Sequence, residues 1–193
     1  HMGSELLRSK SFLRDSYDYG DWFNRVDFSY QTNNYSVGLP PAEKDGANWP
    51  VVEAVLKGNE GRDLVSPADI SRASAMFEDL LRIRTSSKLF RLRTKQQVQQ
   101  QVTFLNADVL AQRGLIVMHI ADDELNPIDA KYEAIVVVFN NDDKPQTFRA
   151  DASNFELHPV QQDGADELIK NASASDDGFS VPALSVAVFV KAD

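Results

Sequence analysis

Cysteine is absent from this chain of 193 residues. That excludes disulfides, thiol nucleophiles and cysteine-ligated zinc, and it leaves the compartment open. Histidine is scarce: His1, His119 and His158 lie far apart, with no metal-ligand spacing among them. Positive charge is in deficit, with 20 Lys and Arg against 29 Asp and Glu, a formal net charge of −9. Such a surface repels nucleic acid and anionic membranes and suits a neutral ligand. No window approaches the roughly 20 apolar residues of a membrane span. No basic segment followed by an apolar run marks a signal peptide. The nine glycines are scattered and form no phosphate-cradling loop. What remains is ordinary globular material, 42% hydrophobic, enough for one large or two small domains.

The most informative stretch is Arg14-Asp-Ser-Tyr-Asp-Tyr-Gly-Asp-Trp-Phe-Asn-Arg25. Charged side chains alternate there with aromatic rings around one glycine. This is poor material for a regular helix or strand. It suits a surface that stacks a flat apolar face and hydrogen-bonds many hydroxyls, as a sugar requires. A solvated turn with anchored aromatics has the same composition.

The wider text narrows the choice. Gly3-Ser-Glu-Leu-Leu-Arg-Ser-Lys-Ser11, Arg14-Asp-Ser-Tyr-Asp18, Gly20-Asp-Trp-Phe-Asn-Arg-Val-Asp27 and Asn33-Asn-Tyr-Ser-Val-Gly-Leu-Pro40 resemble the pullulanase branch of the α-amylase superfamily. Its members are starch-debranching glycoside hydrolases. Ala134-Ile-Val-Val-Val-Phe-Asn140 and Pro182-Ala-Leu-Ser-Val-Ala-Val-Phe189 resemble strands of that family's C-terminal β-domain. The resemblance covers essentially the whole chain, and its first forty residues are the specific part. It implies a fragment in which residues 1–87 are the tail of a catalytic β/α barrel, the loop after the eighth strand plus the final helix. Residues 88–193 are then a C-terminal domain. His1-Met2 reads either as native or as a vector scar.

The residues themselves support a mainly β fold, an antiparallel β-sandwich preceded by a loop-rich and helical segment. Residues 1–65 show little periodicity, apart from a short helix after Asn48 with Pro50 in its first turn, Val51, Ala54 and Val55 on one face, and Gly58 past its end. Residues 66–86 form the clearest helix, with Ser66 as N-cap, Pro67 in the first turn and Asp69 near the positive end of the dipole. Ile70, Ala73, Phe77, Leu80 and Leu81 make one apolar stripe on it. Strands are expected over 88–93, 97–105, 114–121, 132–140, 145–150, 155–158, 166–170, 178–181 and 184–191, with a turn at Asn140-Asn-Asp-Asp-Lys-Pro145. Ile135, Val137, Phe139, Val186 and Val188 are expected inside the sandwich.

Glycoside hydrolysis needs two carboxylates flanking the scissile bond. In the resembled family the nucleophile, the acid/base and a third carboxylate come from earlier barrel strands, so no catalytic residue is expected here. Asp15, Asp18, Asp21 and Asp27 crowd a polar loop and read as solvated or hydrogen-bonded groups. The resemblance gives Asp21 and Arg25 a role. An Asp and an Arg four residues on, in the loop after the eighth strand, bind a glucose on the non-reducing side of the cut. A carboxylate accepts from adjacent hydroxyls and a guanidinium donates to sugar oxygens; the plain alternative is an ion pair that holds the loop. Trp22 and Tyr17 are the candidate stacking rings. Asn33 and Asn34 either donate to hydroxyls or make a turn.

No cofactor is expected. Asp122-Asp-Glu124 and Asn141-Asp-Asp143 could hold calcium, but neither matches an EF-type loop. The expected partners are the upstream catalytic barrel and an α-glucan such as pullulan, amylopectin or a limit dextrin. Resemblance implies a secreted or cell-surface location. A rival reading is a non-catalytic carbohydrate-binding or scaffold module, which calls for an exposed aromatic row on the sandwich. An isomaltase-like or glycogen-debranching relative differs only in substrate.

Overall fold

The computed structural model describes residues 1–107 and 112–192. The chain divides into two compact units, His1–Phe77 and Glu78–Asp193.

In the first unit the backbone is shaped residue by residue. Leu7, Ser11, Phe12, Asp18, Tyr30, Asn34 and Ser36 all take positive φ without being glycine, a conformation that surrounding contacts must impose. Phe23, Leu6 and Leu13 are buried anchors. Two helices follow, α1 (Ala42–Asp45) and α2 (Trp49–Asn59). Asn48 precedes α2 as expected but makes no side-chain cap bond, and Glu60 in the left-handed region, not Gly58, closes it. The Val51 and Val55 face is exposed.

Helix α3 (Pro67–Ser86) runs from the first unit into the second. Its start is a reciprocal cap: Ser66 N donates to Asp69 Oδ2 at 3.0 Å and Asp69 N donates to Ser66 Oγ at 3.2 Å. Those Ser66 bonds hold the Asp69 carboxyl below its usual range. The buried face is rotated from the expected stripe. Ile70 is buried, but Phe77, Leu80 and Leu81 are exposed while Ser74, Asp79 and Ile83 are buried. A backbone donor draws Asp79 inward, since Ala165 N donates to Asp79 Oδ2 at 2.7 Å.

The second unit is built on two antiparallel sheets. The larger has strand order β1-β2-β3-β8-β5, from β1 (Val102–Phe104), β2 (Leu115–Ala121), β3 (Tyr132–Asn140), β8 (Ser185–Ala192) and β5 (Glu156–Leu157). The smaller has order β4-β7-β6, from β4 (Gln146–Phe148), β7 (Gly178–Val181) and β6 (Ser173–Ser175). The expected antiparallel sandwich is therefore present. Two expected strands, 88–93 and 166–170, are absent, and the one expected at 97–105 is shortened to β1. Residues 88–93 hold a 3-10 turn at Leu89–Arg91, and 97–101 belong to helix α4 (Lys95–Gln101), started by a Thr94/Gln97 capping box. The strand expected at 166–170 is replaced by a 3-10 turn at Ile169–Asn171.

Between the sheets lie Leu115, Val117, Val136, Val138, Phe179, Val181, Ala187 and Phe189. The other face of the larger sheet has its own cover. Ile120, Ile135, Val137, Val188 and Val190 pack against Ile83 and Leu89. This corrects the inward set. Ile135, Val137 and Val188 are buried on the outer face, not between the sheets, and Phe139 and Val186 on that same face remain 38% and 36% exposed. The helical cover ends before it reaches them.

A last device finishes the larger sheet. Strand β5 pairs only with Phe189 and Val190 of β8. Further along, Gln161 of helix α5 (Pro159–Gln162) takes over. Its Nε2 donates to Val186 O at 2.8 Å and its Oε1 accepts from Val188 N at 2.7 Å.

Candidate functional site

The aromatic and charged loop is organised by a single 3-10 turn, Trp22–Asn24, with Asp21 before it and Arg25 after it. Phe23 is 1% exposed and anchors the turn. The carbonyls that the turn leaves open are held from outside. Asn34 Nδ2 donates to Trp22 O at 3.0 Å and to Phe23 O at 3.4 Å, and Arg8 Nη1 donates to Asn24 O at 3.3 Å. Ser16 Oγ and Asn24 Nδ2 are 3.2 Å apart. With its backbone fixed this way, the turn presents Asp21, Trp22 and Arg25 to solvent.

Among the described residues no ion pair joins Asp21 to Arg25, and the ion pairs on this loop are Arg14–Asp45 and Asp15–Lys44. The scaffold fixes the turn instead, and both charged groups stay open to a ligand. Trp22 is 43% exposed and lies over Gly38, where an added Cβ would come 3.2 Å from its ring. Tyr17 is 83% exposed. Its amide donates to Asp15 Oδ1 at 3.0 Å and its carbonyl accepts from Lys44 Nζ at 3.0 Å. That amide and the Lys44 charge hold the Asp15 carboxyl below its usual range.

The remaining residues of the motif are structural. The Tyr19 hydroxyl donates to Glu43, which raises its pKa to about 12, and Lys44 sits 4.3 Å above its ring. The Tyr35 hydroxyl donates to Asp63, and its ring packs 5.2 Å from Phe12. Asp27 accepts from the Ser29 and Thr32 amides, and the Ser29 bonds lower its pKa. Asn33 donates to Leu7 O at 3.0 Å. Both asparagines therefore build the turn, and Asn34, 6% exposed, is its central support. The sequence singled out the Asn33-Asn34 pair but gave no sign that Asn34 reaches back more than ten residues.

The acidic turns of the second unit are likewise occupied by backbone. Asp122 accepts from the amides of Asp123, Ile128 and Asp129, and Asp142 accepts from Lys144 N at 3.0 Å. Among the described residues no group of three or more His, Asp or Glu is placed to hold a metal ion. None of their helices is long and apolar enough to cross a membrane.

Comparison with known proteins places this architecture. The family model described as "Alpha-1,6-glucosidases, pullulanase-type, C-terminal" matches residues 30–192. Pullulanase 1, chloroplastic, from Arabidopsis thaliana is 43% identical over 99% of this chain, and pullulanase from Klebsiella pneumoniae is 38% identical over 96%. The chain spans 21% and 17% of the lengths of those two relatives. The crystal structure of the maltotriose complex of PulA from Klebsiella pneumoniae superposes with a TM-score of 0.87 at 38% identity, over 99% of this chain and 21% of that one. On this evidence the chain belongs to the C-terminal family of the pullulanase-type α-1,6-glucosidases.

Proposed function

We propose that this chain is the C-terminal part of a starch-debranching enzyme that cleaves α-1,6-glucosidic linkages of pullulan, amylopectin or limit dextrins. The family match over residues 30–192 carries this reading. Residues 1–87 then form the tail of the catalytic barrel and residues 88–193 the domain that props it. The catalytic carboxylates belong to the barrel portion. The 14–27 loop contributes on the substrate side. Asp21 accepts from two hydroxyls of one glucose, Arg25 donates to its oxygens, and Trp22 and Tyr17 offer ring faces to its C–H groups. The proposal includes a secreted or cell-surface location, which cell fractionation checks.

The rival reading as a free-standing carbohydrate-binding or scaffold module loses ground. Among the described residues, the exposed rings on the strand segments are Phe104 and Phe139, which lie on β1 and β3 with β2 between them. They do not form a continuous row. The direct test is reducing-end release from pullulan by the full-length protein and by the 193-residue chain. Activity in the first and none in the second is expected. Release by the chain alone, above a heat-killed control, would overturn the assignment.

A further inference from the structure

Tyr17 combines a fixed backbone with a free ring. The peptide group on its N-terminal side is held by Asp15, whose Oδ1 accepts from the Tyr17 amide at 3.0 Å. The one on its C-terminal side is held by Lys44, whose Nζ donates to the Tyr17 carbonyl at 3.0 Å. The ring between them is 83% exposed. Tyr19 and Tyr35 are used differently, since their hydroxyls are spent on Glu43 and Asp63. A ring that served only as an anchor would be buried, as Phe23 is.

Lys44 does more than close one ion pair. An ammonium group has three donors. Here Nζ also donates to the Asp15 carbonyl at 3.3 Å, lies 3.8 Å from the Asp15 carboxylate and sits 4.3 Å above the Tyr19 ring. It therefore spans residues 15–19, the arc in which Asp18 takes a φ of 52°. Its own base is firm. Lys44 belongs to α1, and Trp49 Nε1 donates to Pro40 O at 2.7 Å just before that helix. An exposed ion pair alone contributes little to stability. Ordering a ring before its ligand arrives contributes to affinity instead, because that conformational freedom is no longer lost on binding.

We propose that Lys44 is a positioning residue for glucan binding. It holds the 15–19 arc so that the Tyr17 ring is oriented in advance against a sugar face. This rests on reading the 14–27 loop as the substrate side of a debranching enzyme. Lys44 itself takes no part in the chemical step, because its ammonium group is engaged with the loop.

A double-mutant cycle in the full-length protein tests the proposal, with Tyr17→Ala, Lys44→Met and the two combined. Kinetics on pullulan are read as KM and kcat separately. Each single variant is expected to raise KM severalfold, far more than it changes kcat, with no shift in melting temperature. Lys44→Met is expected to add nothing once Tyr17 is alanine, and Lys44→Arg to restore most of the wild-type KM. Additive effects of the two substitutions would overturn the proposal, and so would an unchanged KM. A fall in kcat and melting temperature with KM unchanged would make Lys44 a purely structural group. Hydrolysis by the wild-type protein judges the functional reading separately. Hydrolysis with additive effects keeps the debranching assignment and removes the role of Lys44. Without hydrolysis, the same cycle is read in the Kd for pullulan. Coupled losses there keep the role of Lys44 and remove the debranching assignment, and absence of binding removes both.

Discussion

The Ser86 hydroxyl and Nε2 of His158 stand 2.9 Å apart and tie the end of α3 to the start of α5 across 72 residues. The direction of this bond is fixed from the other side of the ring. His158 Nδ1 accepts from Val160 N at 3.1 Å, so the single imidazole proton sits on Nε2 and is donated to Ser86. The Ser86 hydroxyl in turn donates a hydrogen bond to Ile83 O at 2.8 Å. A second ring proton would destroy the Val160 contact. Burial, helped by the nearby Lys131 charge, holds the His158 pKa down at about 4.

Stability should therefore fall on mild acidification. In the unfolded chain this histidine titrates near 6.5, so the unfolded state binds its proton first. The His158 contribution is complete above about pH 6.5 and is lost as pH falls towards its folded pKa of about 4. His119, also lowered by burial, acts in the same direction. His158→Asn keeps an acceptor for Val160 N and removes the titration. Urea midpoints measured between pH 7 and pH 4.5 should show a shallower slope for the variant. Equal slopes would mean that the ring is not held neutral.

The two faces of the larger sheet should respond very differently to truncation. Phe189 lies between the sheets, and Phe189→Ala should cost about 3–5 kcal/mol. Phe139 is partly solvated in this chain, and Phe139→Ala should cost about 1 kcal/mol or less, because little transfer energy is lost and no sealed cavity forms. Denaturant unfolding of the two variants decides it. Comparable losses would place Phe139 in the core after all.

The sequence showed that strand but not which way it faced. Residues 134–138 are buried on both sides, so the apolar run carries no alternation that separates the sheet-to-sheet face from the face under the helix. The Gln-rich residues 96–101, helical where a strand is expected from 97, differ for the opposite reason. Their apolar positions are too sparse to show a period, whereas the Thr94-x-x-Gln97 start was a legible helix signal. In the candidate loop the outward residues could be read from the motif. Asn34 could not be assigned its role, because a side chain bonding to distant carbonyls leaves no periodic trace.

Support and contact should separate by mutation within the loop. In the full-length enzyme Asp21→Ala or Arg25→Ala should lower kcat/KM on pullulan about ten- to hundredfold, the loss of one charged hydrogen-bond partner, with no change in melting temperature. Asn34→Ala should lower both. It leaves the part-buried carbonyl of Trp22 and the buried carbonyl of Phe23 without this donor, at about 1–3 kcal/mol. A loss beyond about ten-thousandfold for Asp21→Ala would instead mark a residue of the chemical step.

Gly178 has no tolerated replacement by alanine. Its φ is +134°, and a Cβ there would collide with the Phe148 carbonyl oxygen on the adjoining strand. Gly178→Ala should destabilise the chain by about 1–3 kcal/mol and should loosen the β4–β7 pairing first. Faster amide exchange at Phe148 and Ser180 would show this. Unchanged exchange would mean that the smaller sheet yields without cost.

Gln161 imitates a residue of a strand that is not there. By filling one donor seat and one acceptor seat on β8, its amide stops the ladder at a length the chain itself determines. An open ladder edge is a template on which a second chain can add a strand. Replacing Gln161 with leucine would leave the fold's hydrophobic contacts nearly intact yet expose a short row of vacant backbone groups. The consequence would be self-association through strand addition, with no loss of binding or catalysis to announce it.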